Sequence, residues 1–576
     1  MTAKLPSVLL LLVVLAAPAA EASSFLVEHK KGSSLRSRVD GGAFQGEVNN
    51  AMAEALGCGG HLQEEDMAEI RGVLTPIWHS LPKNGEGRIE RSSLRYLAHR
   101  YFNQRSSIMV RGFEPPRLMN QSGWGTAVIL SQRVPAYVES VLHAQHKLEQ
   151  GFDLQDAVFL VATIEQLIFD SESTLLGTVY RDHHKAVSAA LSDQGLQNLL
   201  EAYLVHWMMG DDAEGIHVLL SNRSLLESTF PHWDLLKGFT AGQIKAKQFQ
   251  RQRATAPAKR PGNNALSQKY SFDDAHEVVG SITKSFASFW ESECTSMKDV
   301  LIKMDSHHTG RVPLSKFYSS ALESEWRFGE SESYLRELGA LDETSSRGKQ
   351  VIIPNYIQAA SNCIVSTPHY LVCCMDYCQV RLAEMEKAVG APFAEPALIL
   401  GLVGNMSLEE SLEDDAPPRV DRNLRSQLEQ IAAAHEGKVP LHGRLFAQWL
   451  HYVFPRECPF PHRVGTSAAK TPSEYGDGYI ASDAEMKRHA LASNASDIPV
   501  ALDKEDMEWM SQWTQEEELI AEHDLKLRAP WERTFTSFTT LLFAAGLLVG
   551  AVSLGRKSEK PHDAFLLPVH GKAHFV

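Results

Sequence analysis

A run of about 20 residues near the far end of the chain, FTSFTTLLFAAGLLVGAVSL (Phe535–Leu554), carries no charged side chain. At ~1.5 Å per residue a helix of that length matches the ~30 Å hydrocarbon core of a bilayer. Trp531 sits where an interfacial aromatic belongs, and Arg556, Lys557 and Lys560 follow at once. The segment is therefore expected to be a transmembrane helix, with 555–576 as a cytosolic tail. The opposite end carries Lys4, an apolar run from Val8 to Ala17 and an Ala20-Glu21-Ala22 cleavage pattern. That run is short for a span and reads as a secretory signal peptide over 1–22. Both ends together predict a single-pass type I protein of the secretory pathway, in the plasma membrane or an endomembrane, with its N-terminal body luminal or extracellular.

Two further features fit that topology. Asn120, Asn222, Asn405 and Asn494 each begin an N-x-S sequon, all upstream of the apolar run, and are candidate glycosylation sites. Seven cysteines are present, with Cys58 alone and Cys294, Cys363, Cys373, Cys374, Cys378 and Cys458 clustered in the second half. In an oxidising lumen those six are disulfide candidates whose pairing the sequence leaves open. The CCMDYC run lacks the paired C-x-x-C spacing of a zinc site, so no metal is expected there. The net charge of −15 is spread along the chain and argues against nucleic acid as a partner.

A chain of 576 residues exceeds what one core organises. From 44 to 248 apolar residues recur every three or four positions, which predicts a helical domain. A basic, proline-rich linker follows at 249–267, then a second helical, cysteine-containing domain at 268–466. The polar stretch 467–502 reads as a flexible stalk, and 503–528 as a juxtamembrane helix. The expected fold is thus all-α: two helical ectodomain blocks plus one transmembrane helix.

Within the second block, KMDSHHTGRVPLSKF has the outline of an EF-hand calcium loop. Such a loop places oxygen ligands at positions 1, 3, 5, 7, 9 and 12, with glycine at 6 and a bidentate glutamate at 12. Gly310 at position 6 puts Asp305 at 1, His307 at 3, Thr309 at 5, Val312 at 8 and Lys316 at 12. The turn and the apolar anchor are present, but only one carboxylate remains and an ammonium stands where two oxygens belong. The loop is read as degenerate, with no bound calcium. Asp305 is then expected to matter little for stability, and Val312 to pack near Ile353. GKVPL (Gly437–Leu441), NGEGRIERSSLRYLAHRYF from Asn84 and GKQVIIPNYIQAASN from Gly348 share the skeleton, each without acidic ligands. The fold is accordingly expected to contain degenerate EF-hand-like helix-loop-helix units.

IIPNYIQAASNCIVSTPHYLVCCMDYC and GKVPLHGRLFAQWLHYVFPRECPFPH together resemble an uncharacterised family of protist secreted and single-pass membrane proteins with helical ectodomains. The resemblance spans roughly 80–475. It implies membership and architecture, and no activity, so it transfers no catalytic or binding residue. A nucleophile elbow, a phosphate loop and an H-E-x-x-H helix are missing. Glu165, Asp170, Asp182, His183, His184, His206, Asp211 and His217 form the densest polar cluster, without the Glu-x-x-His spacing of a di-metal bundle. No catalytic residue, metal or cofactor is expected. The expected function is a non-catalytic interaction module with a protein partner. A tethered enzyme with a divergent site, or a weak calcium binder, is the alternative. Gly546 and Gly550 form a G-x-x-x-G that would pair two spans into a homodimer.

Overall fold

An apolar residue placed just before a helix N-cap, bridged to its counterpart on another loop, recurs along this chain and organises it. The computed structural model describes residues 64–114, 127–134, 150–254, 269–320, 328–406, 420–493 and 510–520, apart from 211, 231, 347 and 511. Helix α1 (Glu64–Ser80) leads through a turn to Ile89 and α2 (Arg91–Ser106). After β1 (Ile108–Val110) and α3 (Val128–Arg133), Phe152 precedes α4 (Leu154–Asp182). Ile89 and Phe152 exchange both backbone N–H···O bonds at 2.9 Å.

Helix α4 runs on to Leu191 and α5 (Asp193–Met209); α6 (Ala213–Ser221), α7 (Arg223–Thr229) and α8 (Trp233–Ala254) then lead to Tyr270 and α9 (Phe272–Met304). Leu191 bridges Tyr270 in the same two-bond manner. Phe152, Leu191 and Tyr270 are each followed by a cap: Asp153 and Ser271 form capping boxes with Asp156 and Asp274, and Ser192 accepts from the Gly195 N–H. Capping satisfies N–H groups that the first turn of a helix leaves open.

Helix α9 feeds β2 (Arg311–Pro313) and α10 (Leu314–Ser320), answered by α11 (Glu332–Glu337), β3 (Leu341–Asp342), β4 (Gln350–Ile352) and α12 (Ile353–Ile357). Val312 stands opposite Val351, and the Ile353 N–H donates to Gly310 O at 2.8 Å. Hairpin β5 (Ile364–Thr367) and β6 (Tyr370–Val372) precedes α13 (Tyr377–Val389). The last pairing joins β7 (Phe393–Ala394) to β8 (Val439–Pro440), between α14 (Pro396–Asn405), α15 (Arg422–Ala434) and α16 (Arg444–Val453). Successive bridge positions after Tyr270 lie about 40 residues apart, a spacing typical of repeated supersecondary units.

The all-α expectation is corrected. Strands pair into sheets of order β1-β6-β5 and β2-β4-β3 and into the pair β7-β8. Most have two or three residues, too short for a period-2 pattern to stand out from helical periodicity. The expected span Phe535–Leu554 lies outside the described residues, as do the signal segment 1–22, the tail and the Gly546–Gly550 motif. Among the described residues no helix is long and apolar enough to cross a membrane.

The cores do not follow the linker. The first half of α9 (Ala275, Val279, Ile282, Phe286) packs with α1 to α8, whereas Cys294, Met297 and Leu301 belong to the core around Val312. Strand β1 lies beside β6, with Ile108 opposite Val372, so the hairpin joins a sheet with the first block. Within 467–502, α17 (Pro472–Tyr475) and α18 (Asp483–Ser493) are formed, and α18 packs on α10. Within 503–528, residues 512–520 run as an irregular strap over α16: Thr514 N–H donates to Gln448 Oε1 at 3.1 Å, and Leu519 bridges Gly443. Those contacts use backbone groups that a helix would have consumed internally.

Cys294–Cys374, Cys363–Cys373 and Cys378–Cys458 are paired; Cys58 lies outside the described residues. Val312 is fully buried, in the middle of edge strand β2 and opposite Val351 of the central strand. Removing its two methyl groups costs transfer energy and leaves a cavity, so Val312→Ala should lower the unfolding free energy by about 2 kcal/mol, read as a lower urea midpoint at constant slope.

Candidate functional site

Asp305 ends α9 and is buried. Its Oδ1 accepts from the Thr309 N–H at 3.0 Å and from Thr309 Oγ1 at 3.3 Å; Oδ2 accepts from the Gly310 N–H at 2.9 Å. A calcium loop would point such lone pairs at the ion. Here a guanidinium arrives instead: Arg456 Nε donates to Asp305 Oδ2 at 3.1 Å and Nη2 to the Asp305 carbonyl at 3.3 Å. Arg456 lies in the PRECPFPH turn after α16, two residues from the Cys378–Cys458 bond. Gly310 has φ +70°, and a Cβ there would meet Pro455 O at 1.8 Å. Glycine is required both by the left-handed backbone and by the close approach of this turn.

The paired loop repeats the arrangement. Asp342 is completely buried; its Oδ1 accepts from the Thr344 N–H at 2.9 Å and from its hydroxyl at 2.8 Å. Arg311 Nε donates to Asp342 Oδ2 at 3.0 Å, and its other nitrogens donate to Thr309 O at 3.1 Å and Gln512 Oε1 at 3.0 Å. The guanidinium lies over the Tyr452 ring at 5.6 Å. Each loop thus holds an aspartate and a threonine that donates to it, and an arginine from another loop pairs with the aspartate.

Of the loop residues expected from sequence, Asp305, Thr309, Gly310 and Val312 take part in this construction, whereas His307 and Lys316 are exposed. The view of Asp305 as dispensable is corrected: it is a buried charge with named donors. Sequence reasoning missed Arg456, Arg311, Asp342 and Thr344. Only the similar Asp-Thr proximity in the two loops could have hinted at them.

A second buried cluster joins the blocks. Arg100 on α2 and Glu386 on α13 form a two-bond fork at 3.1 and 2.9 Å, with both side chains fully buried. Arg100 also donates to Tyr96 Oη at 2.9 Å, and His442 Nε2 lies 3.1 Å from Ser80 Oγ. Burial raises the Glu386 carboxyl while Arg100 pulls it back, and burial pushes the Tyr96 phenol up to about 12. Glu386 Oε1 is also 3.5 Å from His442 Nε2, which would favour imidazolium. Burial and Arg100 outweigh it and pull His442 down to about 3, because the carboxylate's charge is already spent on the guanidinium.

The polar residues on the first block stay apart. Glu165 accepts from Tyr101 Oη at 3.0 Å, Asp170 pairs with Arg133 at 3.1 Å, and His206 stands 3.7 Å from Asp182. His183, His184 and His217 are exposed, and Asp211 lies outside the described residues. Among the described residues no group of three His, Cys, Asp or Glu could hold a metal ion. Sequence reasoning also missed Glu172, which accepts from Tyr370 Oη at 3.0 Å and is pushed by burial up to about 8. Two open surface depressions flank Cys294; one is lined by Glu291, Lys298 and Tyr377, the other by Trp290, Met297 and Asn362. Sequons Asn222 and Asn405 are exposed, while Asn120 and Asn494 lie outside the described residues.

No protein-family model, curated protein or solved structure matches the chain.

Arg456→Ala should strand the buried Asp305 carboxylate and cost about 3 kcal/mol. Asp305→Asn should cost about 1–3 kcal/mol, and the double variant less than the sum, measured by a denaturation cycle. Acid should act through His99 and His442, both held by burial down to about 3, His99 also by Arg95 and Arg100. Below their ordinary value of 6.5 the unfolded chain takes up protons that the folded one refuses. Stability should therefore fall as pH drops from about 6.5 toward 3, by up to ~1.4 kcal/mol per pH unit for each histidine. Denaturant midpoints at pH 7 and 5 measure this, and His99→Gln with His442→Gln should lessen the dependence, leaving the part due to His451, which burial also holds well below its ordinary value.

Proposed function

We propose that the described region is a non-catalytic interaction module of a secretory-pathway protein, luminal or extracellular, built on EF-hand-derived loops in which arginine has taken the ion's place. The observation that carries this reading is the Asp305–Arg456 contact: a loop with the EF-hand glycine and apolar anchor closes on a side chain of its own chain. The Asp342–Arg311 pair supports it independently. A module stabilised this way keeps one shape at any calcium concentration, which suits a constitutive binding scaffold. The paired cysteines support an oxidising compartment.

Calorimetric titration of the purified protein with calcium should give no saturable uptake at micromolar concentration. Uptake that Asp305→Asn abolishes would overturn the reading. Proximity labelling in cells should recover the same neighbours with calcium present or chelated.

A further inference from the structure

Asn222 stands at the corner where α6 ends and α7 begins, with an extended backbone at φ −128°, ψ 95°. Its N–H donates to Val218 O at 3.1 Å and its Oδ1 accepts from the Leu225 N–H at 3.1 Å. The cap therefore uses the amide oxygen and leaves the NH2 group outside the capping bond. Asn222, Arg223 and Ser224, the whole sequon, are exposed. Val218 and Leu225, the two residues bonded to Asn222, also expose their apolar side chains, by 42% and 39%, and Leu220 beside them by 40%. The buried contributions of this hairpin come from Ile216, Leu219 and Leu226. Apolar side chains are thus turned outward around an acceptor asparagine.

We propose that Asn222 carries an N-linked glycan, and that this glycan covers the outward apolar side chains of the α6–α7 corner. The inference rests on the secretory reading above. The donor is an oligosaccharide linked through a diphosphate to a polyisoprenoid lipid. Asn222 Nδ2 attacks the anomeric carbon, a C–N bond forms, and the C–O bond to the phosphate breaks. The lipid diphosphate leaves with the electron pair, and one Nδ2 proton passes to base. No oxidation state changes. The product keeps Oδ1 as an acceptor, so the α7 cap survives, and the exposed corner accommodates the sugar without disturbing the core. Asn405 differs: it is the last residue of α14, and the next residue of its sequon, Met406, is buried. The corner at Asn222 offers the more open acceptor.

The test uses the full chain expressed in eukaryotic cells that glycosylate secreted proteins. Glycosidase treatment followed by peptide mass spectrometry should find Asn222 converted to aspartate. Ser224→Ala keeps Asn222 and its cap but destroys the sequon; it should lose one glycan's mobility shift and gain binding of an apolar-surface dye. A glycan on Asn405 with none on Asn222 would overturn this inference and leave the secretory reading standing. Absence of glycan from every sequon would overturn both. Loss of the glycan in Ser224→Ala with unchanged dye binding would overturn the shielding.

Discussion

A loop that turns its backbone around a carboxylate must place a positive charge against that carboxylate, and here the chain supplies it. Asp305 and Asp342 are buried, so each would be costly to keep ionised without a partner. The partners, Arg456 and Arg311, come from other loops. Arg456 reaches Asp305 only when the turn after α16 has docked against Gly310, which ties the fourth pairing to the third. Arg311 reaches Asp342 only when β2, β4 and β3 are in register, and its outer nitrogen fixes Gln512 of the strap. The charge balance of two loops therefore depends on tertiary assembly. Loss of one contact removes more than its own hydrogen bonds.

Arginine differs from an ion in ways that explain the remaining geometry. A calcium ion gathers six to eight oxygens from all directions. A guanidinium is planar, offers its donors in one plane and accepts none. Arg456 can meet only part of the aspartate, so the other lone pairs go to the Thr309 and Gly310 N–H groups and the Thr309 hydroxyl. His307 and Lys316 are exposed, so neither takes part in the charge balance around Asp305.

Much of the local construction was legible in the sequence. The segments around Gly87, Gly310, Gly348 and Gly437 all fall beside bridged positions, since glycine and an apolar anchor are local requirements of such turns. The cysteine cluster was legible as a disulfide framework. Phe152, Leu191 and Tyr270 were not, because their loops lack the glycine-x-valine pattern and close through caps instead. Strands of two or three residues carry no readable period. Arg456 lies 151 positions from Asp305, and nothing in PRECPFPH names a distant carboxylate. The strap at 512–520 looked helical from its charge pattern, but tertiary bonds to Gln448 and Gly443 decided its conformation.

What holds Arg456 in place is covalent as well as packed. The Cys378–Cys458 bond closes a loop with a sequence separation of 80, which by the chain-entropy account restricts the unfolded state by about 4–5 kcal/mol. It also fixes the turn bearing Arg456 to the start of α13, the helix that carries Glu386. That helix is pinned to α2 by the buried Arg100–Glu386 fork. A free ion would occupy the Asp305 loop according to its concentration, whereas a guanidinium tethered this way is present at an effective concentration set by geometry. The disulfide, the fork and the glycine that admits Pro455 together hold the guanidinium against the Asp305 carboxylate. The cost is that the loop's charge balance is secure only while the second block stays assembled around it.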